Sequence, residues 1–463
     1  MAEIVVVGAG PAGLMAALCS ARNGHRCTLM EATDTVGGMA ASFDVAGQRV
    51  DHGSHRLHPA TPQRFMDLFA SRLGDDLQLR PRRGRILLGG RWIAFPLRAA
   101  DMLRNLPPAF ATSAAIDTAA ACLRRLSNRP SDSFAAEIRR RLGPTVARGF
   151  YEPYARKLYG CDPDDLDSEL ARRRVSASGA GDVLKRVLSA ASPKAGGFWY
   201  PRRGYGQLSE TLADAAVEAG ATLRLRTRVL GLEPADGAVL VRSEAGALRA
   251  DAVLTTMPAP ALAEALDPPP PEAVTAALRR CRNRGVVLVY LVLGRERFTT
   301  WDAHYFPGSE TVISRLSEPK NYRSGDDPPD VTVLCAEIPC WPGDETWQSS
   351  DSRLAELVAA ELAAVGLEGV EPLQAEVRRL PAVYPVYEKS SMSDRATVDV
   401  WLRSLAGDGV VSLGRHGLGV LDNLHHVLAM GESAVRCIDR GGKVDLRAWG
   451  RCLEGFASHV VED

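Results

Sequence analysis

Three histidines recur at every third position, His52, His55 and His58, with Gly53 and Ser54 among them. Glycine lets backbone approach a flat ligand closely, and an imidazole there can hydrogen-bond the ligand or titrate near neutrality. His55 and His58 are therefore candidate catalytic residues, and each could equally pack under a ring without moving a proton. No acidic cluster accompanies them. The nine cysteines (19, 27, 122, 161, 281, 335, 340, 437 and 452) form no Cys-x-x-Cys pair and no zinc spacing, so no metal is expected. Arginines 82, 83, 85, 91, 174, 202 and 203 have the chemistry of a phosphate or carboxylate clamp. However, only six of the 56 basic residues are lysine. A GC-rich genome produces that bias, so arginine density alone marks no site.

The second group of residues is a turn. Gly8-Ala9-Gly10-Pro11-Ala12-Gly13 has the form G-x-G-x-x-G, which serves a tight turn, close approach to a pyrophosphate and close helix–strand packing. A helix starting near Pro11 would offer free amides and its positive dipole end to phosphates. Glu31, followed by Ala32, ends the next strand, where a carboxylate can accept both hydroxyls of a ribose without a 2′-phosphate. NAD and FAD sites share these features. The later pair Gly37-Gly38, followed by Met39, favours FAD, because a second glycine pair lets the chain pass the flavin side of the pyrophosphate.

The run Ile4–Gly38 resembles the nucleotide motif of the glutathione-reductase-type flavoproteins. The branch is the one containing amine oxidases, protoporphyrinogen oxidases, phytoene desaturases and UDP-galactopyranose mutases. Met39 stands where that branch often has arginine. Gly53-Ser54-His55-Arg56-Leu57-His58 resembles the mutase loop that lies against the flavin ring, which implies Gly53, Ser54 and His55 as cofactor neighbours. Similar in order are Arg85–Leu97, Phe150–Gly160, Phe198–Gly204, Thr255–Pro258 with Met257, Tyr384-Pro385-x-Tyr387 and Gly414-Arg415-His416-Gly417. The resemblance further implies Val229, Gly414, Arg415, Leu421 and Asn423 at the cofactor. It places Arg315, with Glu318, and Tyr384 and Tyr387 near the substrate. One departure matters. Gly419 and Leu421 stand at the two mutase tyrosines and Asn423 at its aspartate, so two phosphate-facing hydroxyls are missing and mutase activity itself is in doubt.

These residues need a scaffold. Glu3–Val7, the glycine turn, Leu14–Asn23 and Arg26–Glu31 read as a β-α-β unit with parallel strands. Residues 100–190 read mainly as helix, with Pro107–Leu123 apolar and polar breaks at Asn128–Ser133 and Ser176–Asp182. Gln207–Ala219 reads as helix and Ala221–Leu232 as strand, followed by a hairpin and the strand Ala252–Thr256. Strands at Gly285–Leu293, Val331–Ile338 and Leu373–Leu380, with a helix at Ser352–Val365, imply an antiparallel sheet. Val410–Leu413 and a final helix return to the first unit. The expected fold is α/β: a discontinuous Rossmann-type FAD-binding domain (1–80, 195–268 and 405–463) with a mixed helical and antiparallel-sheet substrate domain (81–194 and 269–404).

Composition bounds the function. With 46% hydrophobic and 24% charged residues and zero net charge, the chain has no field for nucleic acid. No apolar run is long enough for a transmembrane segment. Strand leads directly into the glycine motif, so no signal peptide is expected, and the unpaired cysteines fit a reducing cytoplasm. The resemblance implies an FAD-dependent oxidoreductase, or a flavin-assisted isomerase, acting on a small glycosylated or anionic metabolite, with O2 or another carrier as electron acceptor. A porphyrinogen or polyene dehydrogenase is the alternative. A non-catalytic flavin-stabilised binding protein is the alternative from another class.

Overall fold

The β-branched run near the N-terminus forms the strand Glu3–Val7, whose side chains alternate between two apolar layers. Ile4 and Val6 join Leu14, Leu18 and Leu254, whereas Val5 and Val7 join Met30, Val253 and Val410. A strand buried on both faces belongs inside a parallel sheet. In the computed structural model, which describes residues 1–124, 131–174, 197–235 and 237–461, it is the centre of five parallel strands. Their order is Val410–Ser412, Ala252–Thr255, Glu3–Val7, Arg26–Met30 and Thr222–Arg224.

Helices Pro11–Arg22, Gln207–Glu218 and Leu424–Arg436 cover one face of this sheet. A three-stranded antiparallel sheet (Val229–Ala235, Ala238–Ser243, Gly246–Ala250) and helices Glu272–Arg280 and Met392–Leu405 cover the other. Each fully buried aliphatic side chain in these layers contributes about 1.5–3 kcal/mol. The expected α/β class, with its parallel and antiparallel sheets, is what the chain adopts.

A seven-stranded sheet forms beside it, in the order Pro372–Pro385, Asn283–Leu293, Thr332–Cys340, Arg315–Ser317, Ala303–Tyr305, Gly84–Leu88 and Arg91–Phe95. The three strands predicted here are present and antiparallel, with the helix Asp351–Ala364 packed on them. The Arg-rich stretch, for which no strand was predicted, supplies the last two. Its strand Gly84–Leu88 pairs parallel with Ala303–Tyr305. The predicted strand Ala221–Leu232 is two strands in different sheets. Arg226 has φ 49°, and the Thr227 amide donates to the Glu31 carbonyl at 2.8 Å, which turns the chain between them. The predicted break at Ser176–Asp182, and residues 128–130 of the other, lie outside the described residues. No described helix is long and apolar enough to cross a membrane.

His304, on the strand Ala303–Tyr305, is buried with its ring edge-on to Trp92, and its Nε2 has no hydrogen-bond partner among the described residues. Burial, aided by the Arg85 guanidinium, pushes its pKa from 6.5 down to about 3. The unfolded chain binds more protons between these two values, so stability is lost as pH falls below about 6.5. His304→Gln should make the unfolding free energy less steep between pH 6 and 4, by up to about 1.4 kcal/mol per pH unit. Denaturant titrations at several pH values check this, and parallel curves for variant and parent would refute it.

Candidate functional site

Three turns meet at the carboxyl end of the parallel sheet, where open α/β folds bind ligands. The Gly8 amide donates to the Met30 carbonyl at 2.8 Å, Thr256 Oγ1 to the Val7 carbonyl at 3.1 Å, and the Leu413 amide to the Thr255 carbonyl at 2.9 Å. The glycines here divide by cause. A Cβ on Gly8 would lie 2.2 Å from Thr256 Oγ1, and one on Gly13 would lie 2.0 Å from the Gly8 carbonyl oxygen, so folding requires both. Gly10, at φ −71°, is neither strained nor crowded, and a Cβ there would meet nothing within 4 Å. Gly38 lies beside its Cα without filling that direction, its own Cβ position 3.6 Å from Gly10 Cα, and the Gly37 amide donates to the Ala9 carbonyl at 2.8 Å. Pro11 opens the helix, and Ala12 lies against Gly414. Protein packing therefore explains Gly8 and Gly13, and leaves open space over Gly10 where the helix amides start.

Glu31 sits beside this space. Its carboxylate accepts the Ala9 amide at 2.8 Å and the Thr33 amide at 2.9 Å, and the single proton of the Thr33 hydroxyl faces both this carboxylate and the Thr35 carbonyl, each at 2.9 Å. Lone-pair sites remain on the carboxylate. Ala32 is exposed beyond it. Buried Val229 starts the next strand, close to the Thr227 amide that bonds Glu31.

The histidine loop is fixed from the other sheet. Gly53 has φ 93°, and a Cβ on it would lie 3.3 Å from Glu337 Oε1. Glu337 accepts the Ser54 amide at 2.9 Å and, through both oxygens, Arg315 Nε at 2.8 Å and Nη2 at 2.9 Å. Burial opposes the charge of Arg315, but Glu337 outweighs it and holds the guanidinium pKa above its ordinary value. Ser54 Oγ shares a short hydrogen bond with Tyr322, and Arg56 is held by Tyr305 at 3.0 Å and Asp302 at 3.1 Å.

His55 stacks on Tyr205 with ring centres 5.1 Å apart, and its buried Nδ1 has no partner among the described residues. Burial, then the guanidinium groups of Arg315 and Arg415, push its pKa down to about 3. The expectation that it titrates near neutrality is thus corrected. It is a neutral imidazole with an unused ring nitrogen. His58 does not join it. Its ring faces His425 at 6.0 Å, and its Nδ1 accepts the Ala60 amide at 3.1 Å.

Tyr384 lies near enough to Arg315 and Arg415 to act on the charge of both. Tyr387 does not face a cavity. It is fully buried, its hydroxyl donates to the Gly419 carbonyl at 3.3 Å, and Arg395 stacks on its ring at 3.8 Å. The expected catalytic role is corrected to one in packing. Leu421 belongs to the same apolar cluster, and Asn423 caps the helix Leu424–Arg436, so these side chains serve the chain itself. Met39 packs against Val45, Val50 and Tyr290, and the Met257 amide donates to Thr255 Oγ1 at 3.2 Å. Arg415 is different. Its Nη2 donates to the Asp422 carbonyl, burial lowers its pKa while the nearby Asp422 carboxylate works against that, and no carboxylate among the described residues forms an ion pair with it. A half-buried guanidinium without a direct ion-pair partner can accept an anion.

The other arginines disperse. Arg82 stacks on Phe95 and Arg85 on Trp92, Arg202 pairs with Asp76, and Arg91 and Arg203 are exposed. The charge of Arg174 reaches Arg415. Arg83 lines a cavity of about 370 Å³ with Arg80, Arg297 and Asp302. Glu318 is structural, accepting the amides of Phe298 and Thr299 and the hydroxyl of Thr332. Sequence reasoning missed Glu337, Tyr205, Tyr322 and Asp302. A lone acid in the otherwise apolar run Thr332–Cys340 was the one signal that could have revealed Glu337.

The pattern of the flavin containing amine oxidoreductases matches residues 11–402. The chain belongs to that family. It is a flavin-dependent oxidoreductase, and its substrate is a small molecule. It is 27% identical over 403 residues to coproporphyrinogen III oxidase of Mycobacterium tuberculosis, covering 82% of this chain and 86% of that protein. In fold it is similar to reduced UDP-galactopyranose mutase, with TM-score 0.79, 20% identity and coverage of 97% and 98% of the two chains. It is also similar to a putative protoporphyrinogen oxidase from Exiguobacterium sp. 255-15, with TM-score 0.70, 20% identity and coverage of 94% and 97%. The open space over Gly10, the Arg415 guanidinium without an ion-pair partner and the His55 Nδ1 without a well-formed hydrogen bond among the described residues fit a flavin nucleotide.

The two kinds of glycine predict opposite phenotypes. Gly10→Ala should fold with stability within about 0.5 kcal/mol of the parent and yet bind flavin about tenfold or more weakly. Gly13→Ala should lose about 3 kcal/mol or more of stability, because its Cβ collides with backbone. Thermal melts of flavin-free protein and flavin titration separate the two. Full flavin affinity in Gly10→Ala would overturn the assignment of the open space.

Proposed function

We propose that this oxidoreductase uses FAD and acts on a small anionic metabolite. One observation carries the reading: Arg415 follows Gly414, which packs against Ala12 of the glycine turn, makes no ion pair with a carboxylate among the described residues, and acts by its charge on the neutral His55. Glu31 accepts the Ala9 amide within the glycine turn, where a carboxylate at the end of the second strand meets the adenosine ribose of a dinucleotide. The FAD domain is residues 1–80, 195–268 and 405–463, and the substrate domain is 81–194 and 269–404. The sheets support this division, because all five parallel strands come from the first set and all seven strands of the larger sheet from the second.

The flavin, when bound, supplies the electron transfer. The chain supplies the rest. The helix amides after Gly10 and the Arg415 guanidinium would hold the pyrophosphate, and Glu31 would accept the ribose hydroxyls. Gly53 and Ser54 bring backbone to the ring, and His55 offers it one hydrogen bond. Arg315 keeps Nη1 clear of its pair with Glu337 and reads the acidic end of the substrate beside Tyr384. The cavity of Arg80, Arg83 and Arg297 adds a second cationic surface behind Asp302, which also holds Arg56. This lining favours an acidic substrate over a polyene. A porphyrinogen dehydrogenase is the second reading, favoured by the 27% identical coproporphyrinogen III oxidase. The free cysteines among the described residues support a reducing cytoplasm.

Denatured protein should release FAD and no FMN. Arg415→Met should weaken FAD by about 1.5–3 kcal/mol, the scale of a hydrogen bond to a charged group. An unchanged affinity, or FMN in the supernatant, would sink the reading.

A neutral imidazole with a pKa near 3 is a poor proton acceptor at neutrality. His55→Gln should therefore keep single-turnover flavin reduction within about tenfold of the parent, and the pH profile should keep its shape. A limb of the profile that vanishes in the variant would show that His55 transfers a proton after all.

A further inference from the structure

Three guanidinium groups converge on one cavity outside the glycine turn and the histidine loop. Arg80 lies on the strand Leu77–Pro81, Arg83 precedes the strand Gly84–Leu88, and Arg297, Thr300 and Asp302 come from the loop before Ala303–Tyr305. With Asn321 they line a space of about 370 Å³. Like charges gathered in this way repel one another. The repulsion registers at Arg80, where burial and then the charges of Arg83 and Arg297 lower the pKa.

The nearby carboxylates do not neutralise this cluster. Asp302 is the acid of the lining, and both of its oxygens are taken, Oδ1 by Arg56 Nη2 at 3.1 Å and Oδ2 by the Arg83 amide at 2.7 Å. Glu318, on which Arg297 acts by its charge, accepts the amides of Phe298 and Thr299, the Thr332 hydroxyl and Asn321 Nδ2. Glu296 approaches Arg297 Nε only to 3.9 Å and is exposed, so that pair contributes little. Neutral groups instead hold the forks in place. Arg80 Nη1 donates to Ser324 Oγ at 2.9 Å. Arg297 Nη1 donates to Asn321 Oδ1, and Asn321 Nδ2 is tied in turn to the Thr299 and Trp301 carbonyls at 3.0 and 2.8 Å. The buried Nε of Arg80 has no hydrogen-bond partner, and the Arg83 side chain no ion pair, among the described residues. The positive charge is therefore positioned but unspent, and a concave wall concentrates its field.

We propose that this cavity binds a diphosphate group. Guanidinium forks meet phosphate oxygens two at a time, and two linked phosphates carry enough oxygens for three forks and the Thr300 hydroxyl. A single phosphate or carboxylate would leave a fork unmet. Free pyrophosphate and a nucleoside diphosphate share this chemistry. Binding here involves neither Arg415 nor turnover, so its failure and a failure of the acidic-substrate reading are separate results.

The test uses the flavin-loaded protein, in which the flavin site is already filled. Calorimetric titration with sodium pyrophosphate in magnesium-free buffer at low salt should show about one site per chain. Orthophosphate and citrate should bind about tenfold or more weakly. ADP that binds as tightly as pyrophosphate or tighter identifies a nucleotide as the carrier, and ADP that binds more weakly identifies free pyrophosphate. Arg83→Gln and Arg297→Gln should each weaken pyrophosphate about tenfold and leave the flavin spectrum unchanged. Arg83 is exposed, so its variant reads the site without disturbing the fold. The proposal is overturned by the absence of saturable pyrophosphate binding at millimolar concentration. Citrate that binds as tightly as pyrophosphate, or pyrophosphate affinity unchanged in the double variant, overturns it equally.

Discussion

Glu337 is the constraint on which the site depends. It is a carboxylate 3% exposed, in a strand whose nine residues are all buried. A charge there costs several kcal/mol of desolvation unless its oxygens are fully met. Arg315 meets both, and the Ser54 amide meets one a second time from 283 residues away. The Gly53–His58 loop therefore does not set its own position. It is drawn against the larger sheet by a buried charge, and Gly53 is the residue whose missing side chain permits that contact.

A second buried carboxylate completes the attachment. Asp51 accepts Ser42 Oγ and the Tyr200 hydroxyl at 2.6 Å and the Tyr205 amide at 2.9 Å, and its carbonyl accepts the Tyr290 hydroxyl at 2.6 Å. Burial pushes its pKa up, and these donors work against that. The same node positions Tyr205, the ring on which His55 stacks. Two acids thus hold one loop from both sides, and the histidine between them stays neutral because burial, and then the nearby guanidinium groups, disfavour its charge.

The state of each arginine follows from what surrounds it. Arg56 and Arg315 are compensated within the chain and serve to hold the loop, with one nitrogen of Arg315 left over. Arg415 makes no ion pair with a carboxylate among the described residues, although Asp422 favours its charge. In the proposed reading, that contrast separates the arginines that build the protein from the one that meets the pyrophosphate. It also explains why arginine density along the chain was uninformative: most of these side chains stack on aromatic rings or pair with acids at the surface.

What could be read from the sequence was local. The strand–glycine–helix–strand unit from Glu3 to Glu31, the helix after Pro11 and the antiparallel strands of the second sheet follow from periodicity and turn chemistry over a few residues, and the fold class follows from their order. The resemblance of scattered motifs supplied the family. Relations between distant positions could not be read. That Gly13 is required by packing and Gly10 is not depends on which atoms stand opposite them. That Tyr387 is core while Tyr384 reaches two guanidinium groups depends on what packs around the chain as it leaves the strand Pro372–Pro385. The same holds for the depressed pKa of His55 and for the meeting of Arg80 and Arg83 with Arg297. Pattern over a window specifies an element. Desolvation and charge pairing are set by whatever the folded chain brings to the same place, and only the tertiary structure decided those.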